Sequence, residues 1–312
     1  GKVVADKKPN PIYFVAGGGS KAMLEPAQYI FDCECAVPSS VYSSNEFVHR
    51  APKDFNSEAV VITCSHSGNT PETVKASEIA KEKGALTICF THLKDSPLWD
   101  AAEYQIHYNW SDESDASDYN NAALYALTFN ILNELTPCEK FDKALTYIDQ
   151  LPAIFDRNTA KYLEAADKFG STHKRESLIY TMASGAHYGV AYSFAICLLM
   201  EMQWVHSHAI HSGEYFHGPF EVTDYDVPFI IIKGLDNCRP LDERAYNFCK
   251  KYSQKITLID AADYDMHEID DSLKGYFAPL VTNVVLRKFA DAIADHRGHP
   301  LSVRRYMWRM EY

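Results

Sequence analysis

A chain of 312 residues suits about two domains of ordinary size, each able to bury a core of its own. Its apolar content of 46% and charged content of 23% are those of a globular protein, and no apolar run reaches the length of a membrane span. A balance of 42 acidic against 30 basic side chains, net −12, argues against nucleic acid or an anionic membrane as partner, while a local anion site stays compatible with it.

Eight cysteines are scattered at 33, 35, 64, 89, 138, 197, 238 and 249, without a Cys-x-x-Cys pair. Several sit in apolar runs, which fits a reduced, cytoplasmic chain using thiols as small hydrophobes. The start at Gly1 has no signal-like pattern and implies a trimmed or tag-derived N-terminus, with a leading segment missing.

Ile12 to Ala16 reads as a short strand, followed by Gly17-Gly18-Gly19-Ser20 and a helix-like run to about Phe31. The glycines either let the backbone close over a ligand or permit tight packing. A second strand closes at Val41, and Ser43-Ser44-Asn45-Glu46-Phe47 opens a turn or helix. Ala59 to Thr63 is a continuous β-rich run of the kind buried in parallel sheets. Thr70-Pro71-Glu72 predicts a helix start and Lys83-Gly84 its end, with Ala85 to Phe90 the next strand. This alternation predicts a doubly wound parallel sheet flanked by helices. Asp118 to Glu134 and Glu139 to about Phe169 are helical in pattern.

The pattern then restarts. Tyr13-Phe-Val-Ala-Gly-Gly-Gly-Ser20 is echoed by Tyr180-Thr-Met-Ala-Ser-Gly-Ala-His187, and Ser44-Asn-Glu-Phe47 by Ser212-Gly-Glu-Tyr215, at offsets of 167 to 168 residues. Val227 to Ile232 and Lys255 to Asp260 take the places of the strands at 59–63 and 85–90. The matches indicate a duplicated α/β unit, with domains at 1–155 and 156–312; two unrelated domains sharing strand–Gly–helix grammar are the alternative.

The halves differ where chemistry is expected. Ser65-His66-Ser67-Gly68-Asn69-Thr70 puts three hydroxyls and a glycine before a helix N-terminus, whose orphan amides and dipole favour an anion. A simple capped loop is the plainer reading. The second half has Lys233-Gly-Leu-Asp-Asn-Cys238 instead, without that cluster. Gly189 to Met200 is almost wholly apolar and predicts a buried helix, with Glu201 on the face of Phe194, Cys197 and Leu198. Burial raises a carboxyl pKa towards neutrality, as a general acid/base requires; a structural core glutamate is the alternative. Ser212-Gly-Glu-Tyr-Phe-His-Gly-Pro219 then reads as a short turn capped by Ser212 and stopped by Gly218-Pro219. His206, His208 and His211 lack a face in common and a completing ligand, so no metal is expected.

Together the duplicated unit, Ser65-His-Ser-Gly-Asn-Thr70, and Glu201 followed sixteen residues later by His217-Gly-Pro resemble the tandem SIS (sugar isomerase) domain family. The isomerase half of glucosamine-6-phosphate synthase has the same arrangement. Within the family the whole chain most resembles the bacterial fructosamine deglycases of the fructoselysine-6-phosphate type, through Ser-Gly-Glu-Tyr-Phe-His-Gly-Pro and the ending Arg304-Arg-Tyr…Glu311-Tyr312.

The resemblance implies two duplicated SIS domains and a sugar-phosphate substrate, a 6-phosphorylated Amadori compound, cleaved without a cofactor. It implies that Glu201 is the acid/base and that His217 opens the sugar ring. Ser20, Ser65, Ser67 and Thr70 match the family's phosphate-binding positions, with Gly19, Ser44, His66, Glu214 and Arg305 as further substrate-binding candidates. In relatives the histidine comes from the neighbouring subunit, which implies a homodimer with shared active sites. One departure matters. The synthase isomerase uses a lysine near its C-terminus, whereas the last lysine here is Lys288 and Arg304-Arg305 follow Pro300. An arginine forms no Schiff base, which favours a deglycase over a glucosamine-6-phosphate isomerase or deaminase. A non-catalytic sugar-phosphate sensor is the remaining alternative.

Overall fold

The structure is a computed structural model describing residues 1–111 and 119–311. Asp118, the expected start of a helix, and Tyr312 lie outside the described residues. The chain divides into two compact units, residues 1–152 and 153–312.

In the first unit α1 (Lys2–Lys7) precedes β1 (Ile12–Ala16), α2 (Gly18–Glu34), β2 (Ser39–Ser43) and α3 (Ser44–Arg50). Then come β3 (Val60–Cys64), α4 (Pro71–Glu82), β4 (Leu86–Thr91), α5 (Pro97–Ala101), β5 (Tyr104–His107), α6 (Asn120–Leu135) and α7 (Glu139–Tyr147). The strands form one parallel sheet in the order β2-β1-β3-β4-β5. β1, β3 and β4 are buried along their whole length, as their unbroken apolar runs require, whereas β2 and β5 are partly exposed edges. Reversal of strand order between β1 and β3 opens a crevice at their carboxyl ends, where Ala16 lies opposite Cys64.

The second unit follows α8 (Leu151–His173) with β6 (Leu178–Ala183), α9 (Tyr188–Tyr192), β7 (His206–His211), β8 (Phe229–Lys233), α10 (Arg239–Tyr252), β9 (Ile256–Asp260) and α11 (Asp271–Arg297). Its parallel sheet, β7-β6-β8-β9, repeats the order of the first without a fifth strand. The duplication extends to backbone angles. Gly18 after β1 and Gly185 after β6 both adopt φ +53, in the left-handed region where glycine carries no steric penalty. The aromatic of each echoed motif, Phe47 and Tyr215, anchors a fully buried cluster.

Two expectations need correction. The apolar segment is not one α-helix: α9 ends at Tyr192 and Ser193–Met202 is a π-helix, closed by the Gln203 amide donating to the carbonyl of Leu198, five residues back. The wider helix changes which side chains neighbour Glu201, although Cys197 stays beside it. Nor does Ser212 cap the turn carrying His217. Its hydroxyl donates to Asp242 Oδ1 at 2.6 Å, because a buried carboxylate is the stronger acceptor.

Asp242 is the polar hub of this unit. Buried on α10, it also accepts from Ser184 Oγ at 2.7 Å and from the Gly234 amide at 3.2 Å, tying together the segments after β6, β7 and β8. Burial pushes its carboxyl pKa up, against the pull of those bonds. Asp242→Ala leaves the Ser212 hydroxyl and the Gly234 amide without their acceptor, while Ser184 keeps the Cys238 carbonyl at 3.2 Å, and should lower stability by roughly 2–4 kcal/mol in urea unfolding. Asp242→Asn, which keeps an acceptor, should cost less.

Candidate active site

The crevice of the first unit gathers most of the expected anion-binding residues. Ser65, buried at the end of β3, pairs its hydroxyl with that of Thr70 at 2.9 Å. Thr70 therefore turns its hydroxyl towards the loop and makes no side-chain cap on α4, whose proline N1 has no N–H to satisfy. Ser67 is exposed and accepts from the Asn69 amide at 3.2 Å. Gly68 has φ +65, and a Cβ there would meet Ser96 Oγ at 2.0 Å, so only glycine fits the turn. From the first turn of α2, Ser20 reaches the buried Cys64 thiol, whose pKa burial pushes up to about 12 against that hydrogen bond. Ser44 lies behind the loop, its buried hydroxyl 2.8 Å from Thr73 Oγ1 on α4.

The second unit carries the same turn in a filled form. There Asp236 Oδ2 accepts from the Ala186 amide at 3.3 Å, and a Cβ on Gly185 would strike Asp236 Oδ1 at 2.4 Å. A carboxylate of the protein itself fills that turn. At the corresponding turn of the first unit, Gly17 and Gly18 would carry a Cβ with nothing within 4 Å among the described residues, and Gly17 to Gly19 are exposed. Packing does not require these glycines. An exposed glycine turn of this kind is compatible with close approach of an anion.

His66 faces sideways rather than into the hydroxyl cluster. Its Nδ1 lies 3.0 Å from Tyr108 Oη, its ring stacks on His92 at 5.2 Å, and Trp110 meets it edge-on at 5.6 Å. Loss of water around the ring, then the neighbouring His92, lowers its pKa, favouring the neutral imidazole.

In the second unit Glu201 sits partly buried at the end of the π-helical segment. Burial raises its pKa; the Arg304 guanidinium, with Nη2 at 3.0 Å from Glu201 Oε1, pulls it back. The expectation for the tail fell on Arg305, whose guanidinium instead lies 4.3 Å from the Trp204 ring. Trp204 follows Glu201 closely and holds φ +54, a strained angle for a side chain of that size. His217 ends the 3₁₀ turn Tyr215–His217, two residues after buried Tyr215, and its amide donates to the Glu214 carbonyl at 2.9 Å. His217 and Glu214 are both exposed. Among the described residues the His217 imidazole has no hydrogen-bond partner.

Sequence reasoning missed Arg304 as the partner of Glu201, Thr73 as that of Ser44, and Asp236 as the plug of the second cradle. Only the first had a visible signal, the Arg-Arg pair after Pro300. Among the described residues no group of three His, Cys, Asp or Glu side chains is arranged to hold a metal, and no helix is long and apolar enough to cross a membrane.

Comparison with known proteins identifies the family. The model of the SIS domain matches residues 7–136. The chain is 54% identical over 302 residues to fructosamine deglycase FrlB of Bacillus subtilis (strain 168), covering 96% of this chain and 92% of that one. It is 30% identical over 296 residues to fructoselysine 6-phosphate deglycase of Escherichia coli (strain K12), covering 95% and 84%. A Bacillus subtilis structure solved as a candidate phosphosugar isomerase superposes with a TM-score of 0.95 at 54% identity, over 97% of this chain and 93% of that one. With two parallel sheets of one strand order and this likeness over nearly its whole length, the chain belongs to the SIS-domain family, among its fructosamine deglycases.

Proposed function

We propose that this protein cleaves a 6-phosphorylated Amadori compound, such as fructoselysine 6-phosphate, to glucose 6-phosphate and a free amino acid or amine. The observation that carries the reading is Glu201, a carboxylate with a burial-raised pKa in a chain 54% identical to a fructosamine deglycase. The substrate phosphate lies against the Ser20, Ser65, Ser67 and Thr70 hydroxyls and the Gly19 amide, with Ser44 bracing the loop from behind. His217 assists opening of the ketose ring. Glu201 removes a proton from C1, giving an enaminol, and returns a proton to C2. Water hydrolyses the resulting aldimine, releasing the amine and leaving the aldehyde of glucose 6-phosphate.

One carboxylate moving one proton between adjacent carbons needs no cofactor, and holding the phosphate orients the carbon skeleton for that transfer. Glu214 and Arg305, both exposed, are assigned as contacts to the amine portion of the substrate. The exposed, unpartnered His217 supports a homodimer in which each turn 215–217 completes the partner's site. A substrate phosphorylated before cleavage fits the cytoplasm.

Glucose 6-phosphate released from fructoselysine 6-phosphate, followed by a coupled dehydrogenase, tests the reading. Glu201→Gln should slow release by about 10²-fold or more while binding persists; near-normal turnover in the variant, or none in the parent across a panel of phosphorylated adducts, contradicts it. Mixing Glu201→Gln with His217→Ala under subunit exchange should recover about a quarter of parent activity, since half the dimers then hold one complete site. No recovery in verified mixed dimers would mean each site is built within one chain. At the cradle, Gly17→Ala should leave stability within about 0.5 kcal/mol yet raise KM, whereas Gly68→Ala should also destabilise by about 1–3 kcal/mol; thermal unfolding and KM for one phosphorylated substrate check both.

A further inference from the structure

We propose that Arg304 is a positioning residue that sets the charge of Glu201, so that the C-terminal tail makes this carboxylate a base at neutral pH. The inference rests on the deglycase reading for its consequence in turnover, but its physical content concerns one ion pair.

The guanidinium is buried, with 7% of its side chain exposed, and its Nη2 lies 3.0 Å from Glu201 Oε1. It is held from the other side by its own tail: Nη1 donates to the Leu301 carbonyl at 2.6 Å and to the Val303 carbonyl at 3.1 Å, and the Trp308 ring lies 5.3 Å from Cζ. A cation fixed in this way gives a constant field, unlike a mobile surface lysine.

The tail is in turn latched to the residues that follow Glu201. Gln203, fully buried, donates from Nε2 to the His299 carbonyl at 2.7 Å. The Trp204 ring meets the His299 ring at 4.4 Å and the Arg305 guanidinium at 4.3 Å. These contacts fix the approach of Arg304 to the carboxylate and accompany the left-handed angle at Trp204.

Two opposing effects then meet at one group. The apolar segment penalises the ionised carboxylate; the buried cation favours it. Without the cation burial acts on Glu201 unopposed and shifts it further towards the protonated form, which is a poor base for C1. A cation free of the burial penalty would leave it a feeble base. Among the described residues, the ionisable groups set against Glu201 are Arg304 from the tail and the Cys197 thiol in the same π segment, itself pushed up to about 11 by burial and then by the Glu201 charge. In the thiol form Cys197 adds no charge, which leaves Arg304 as the electrostatic control.

The test compares the parent with Arg304→Gln and Arg304→Lys. Glutamate labelled with ¹³C at Cδ gives a direct titration of the Glu201 carboxyl, its resonance identified by loss in Glu201→Gln. The midpoint should rise by about one pH unit or more in Arg304→Gln and stay within about half a unit of the parent in Arg304→Lys. The acid limb of kcat/KM should move upward with it, so that activity lost at neutral pH returns in part at alkaline pH. If Arg304→Gln does not fold, Trp308→Ala removes a ring that is 79% exposed and loosens the guanidinium, and should raise the midpoint by a smaller, measurable amount. An unmoved midpoint, or an activity loss equal at every pH, overturns the proposal. The titration needs no substrate, so a parent that releases no glucose 6-phosphate would sink the deglycase reading while the midpoints still decide this one.

Discussion

An ionisable carboxylate at the end of an apolar helix is the constraint on which the second unit turns. Glu201 closes a π-helical segment whose other side chains are overwhelmingly apolar, and there the charged form is penalised unless something answers it. Arg304 answers it from a tail that has no regular structure of its own. Such a tail holds position only through specific contacts, and these fall on Gln203 and Trp204, immediately after the carboxylate. Helix, turn and tail thus form one device around one oxygen pair.

The duplication explains how the labour is divided. Both units carry the same left-handed glycine turn after their first strand, at Gly18 and Gly185, and the same strand order around it. In one unit Asp236 supplies the anion from within and the turn becomes structural. The other has no side chain at that position and a ring of hydroxyls beside it. One turn geometry thus serves packing in the second unit, where the Asp236 carboxylate stands, and is left open among the described residues in the first.

Much of this was legible in the sequence because the signals were local. Unbroken β-rich runs marked the buried strands, Thr70-Pro71-Glu72 marked the start of α4, and a near-constant offset exposed the repeat. The direction of the Glu201 shift followed from the apolar run before it. What stayed hidden depends on geometry that composition does not carry. An apolar run without polar punctuation has the same pattern whether it winds as an α- or a π-helix, so the helix type at 193–202 was unreadable. Adjacent arginines look alike until the backbone of the tail sends Arg304 to the carboxylate and Arg305 to Trp204. Ser212 looked like a cap because its acceptor, Asp242, stands thirty residues further along the chain. β5 and α11 lacked usable periods: the first is a short, half-exposed edge, and the second is buried on several faces and holds Pro279.

The central claim is that a carboxylate carries a proton between C1 and C2 of an amine-bearing ketose phosphate. A substrate doubly deuterated at C1 tests it most directly, with the products read by NMR and mass spectrometry. The account predicts glucose 6-phosphate carrying a single deuterium at C1, formed more slowly than from unlabelled substrate. Fructose 6-phosphate retaining both deuteriums, the product of direct C–N cleavage, would contradict it.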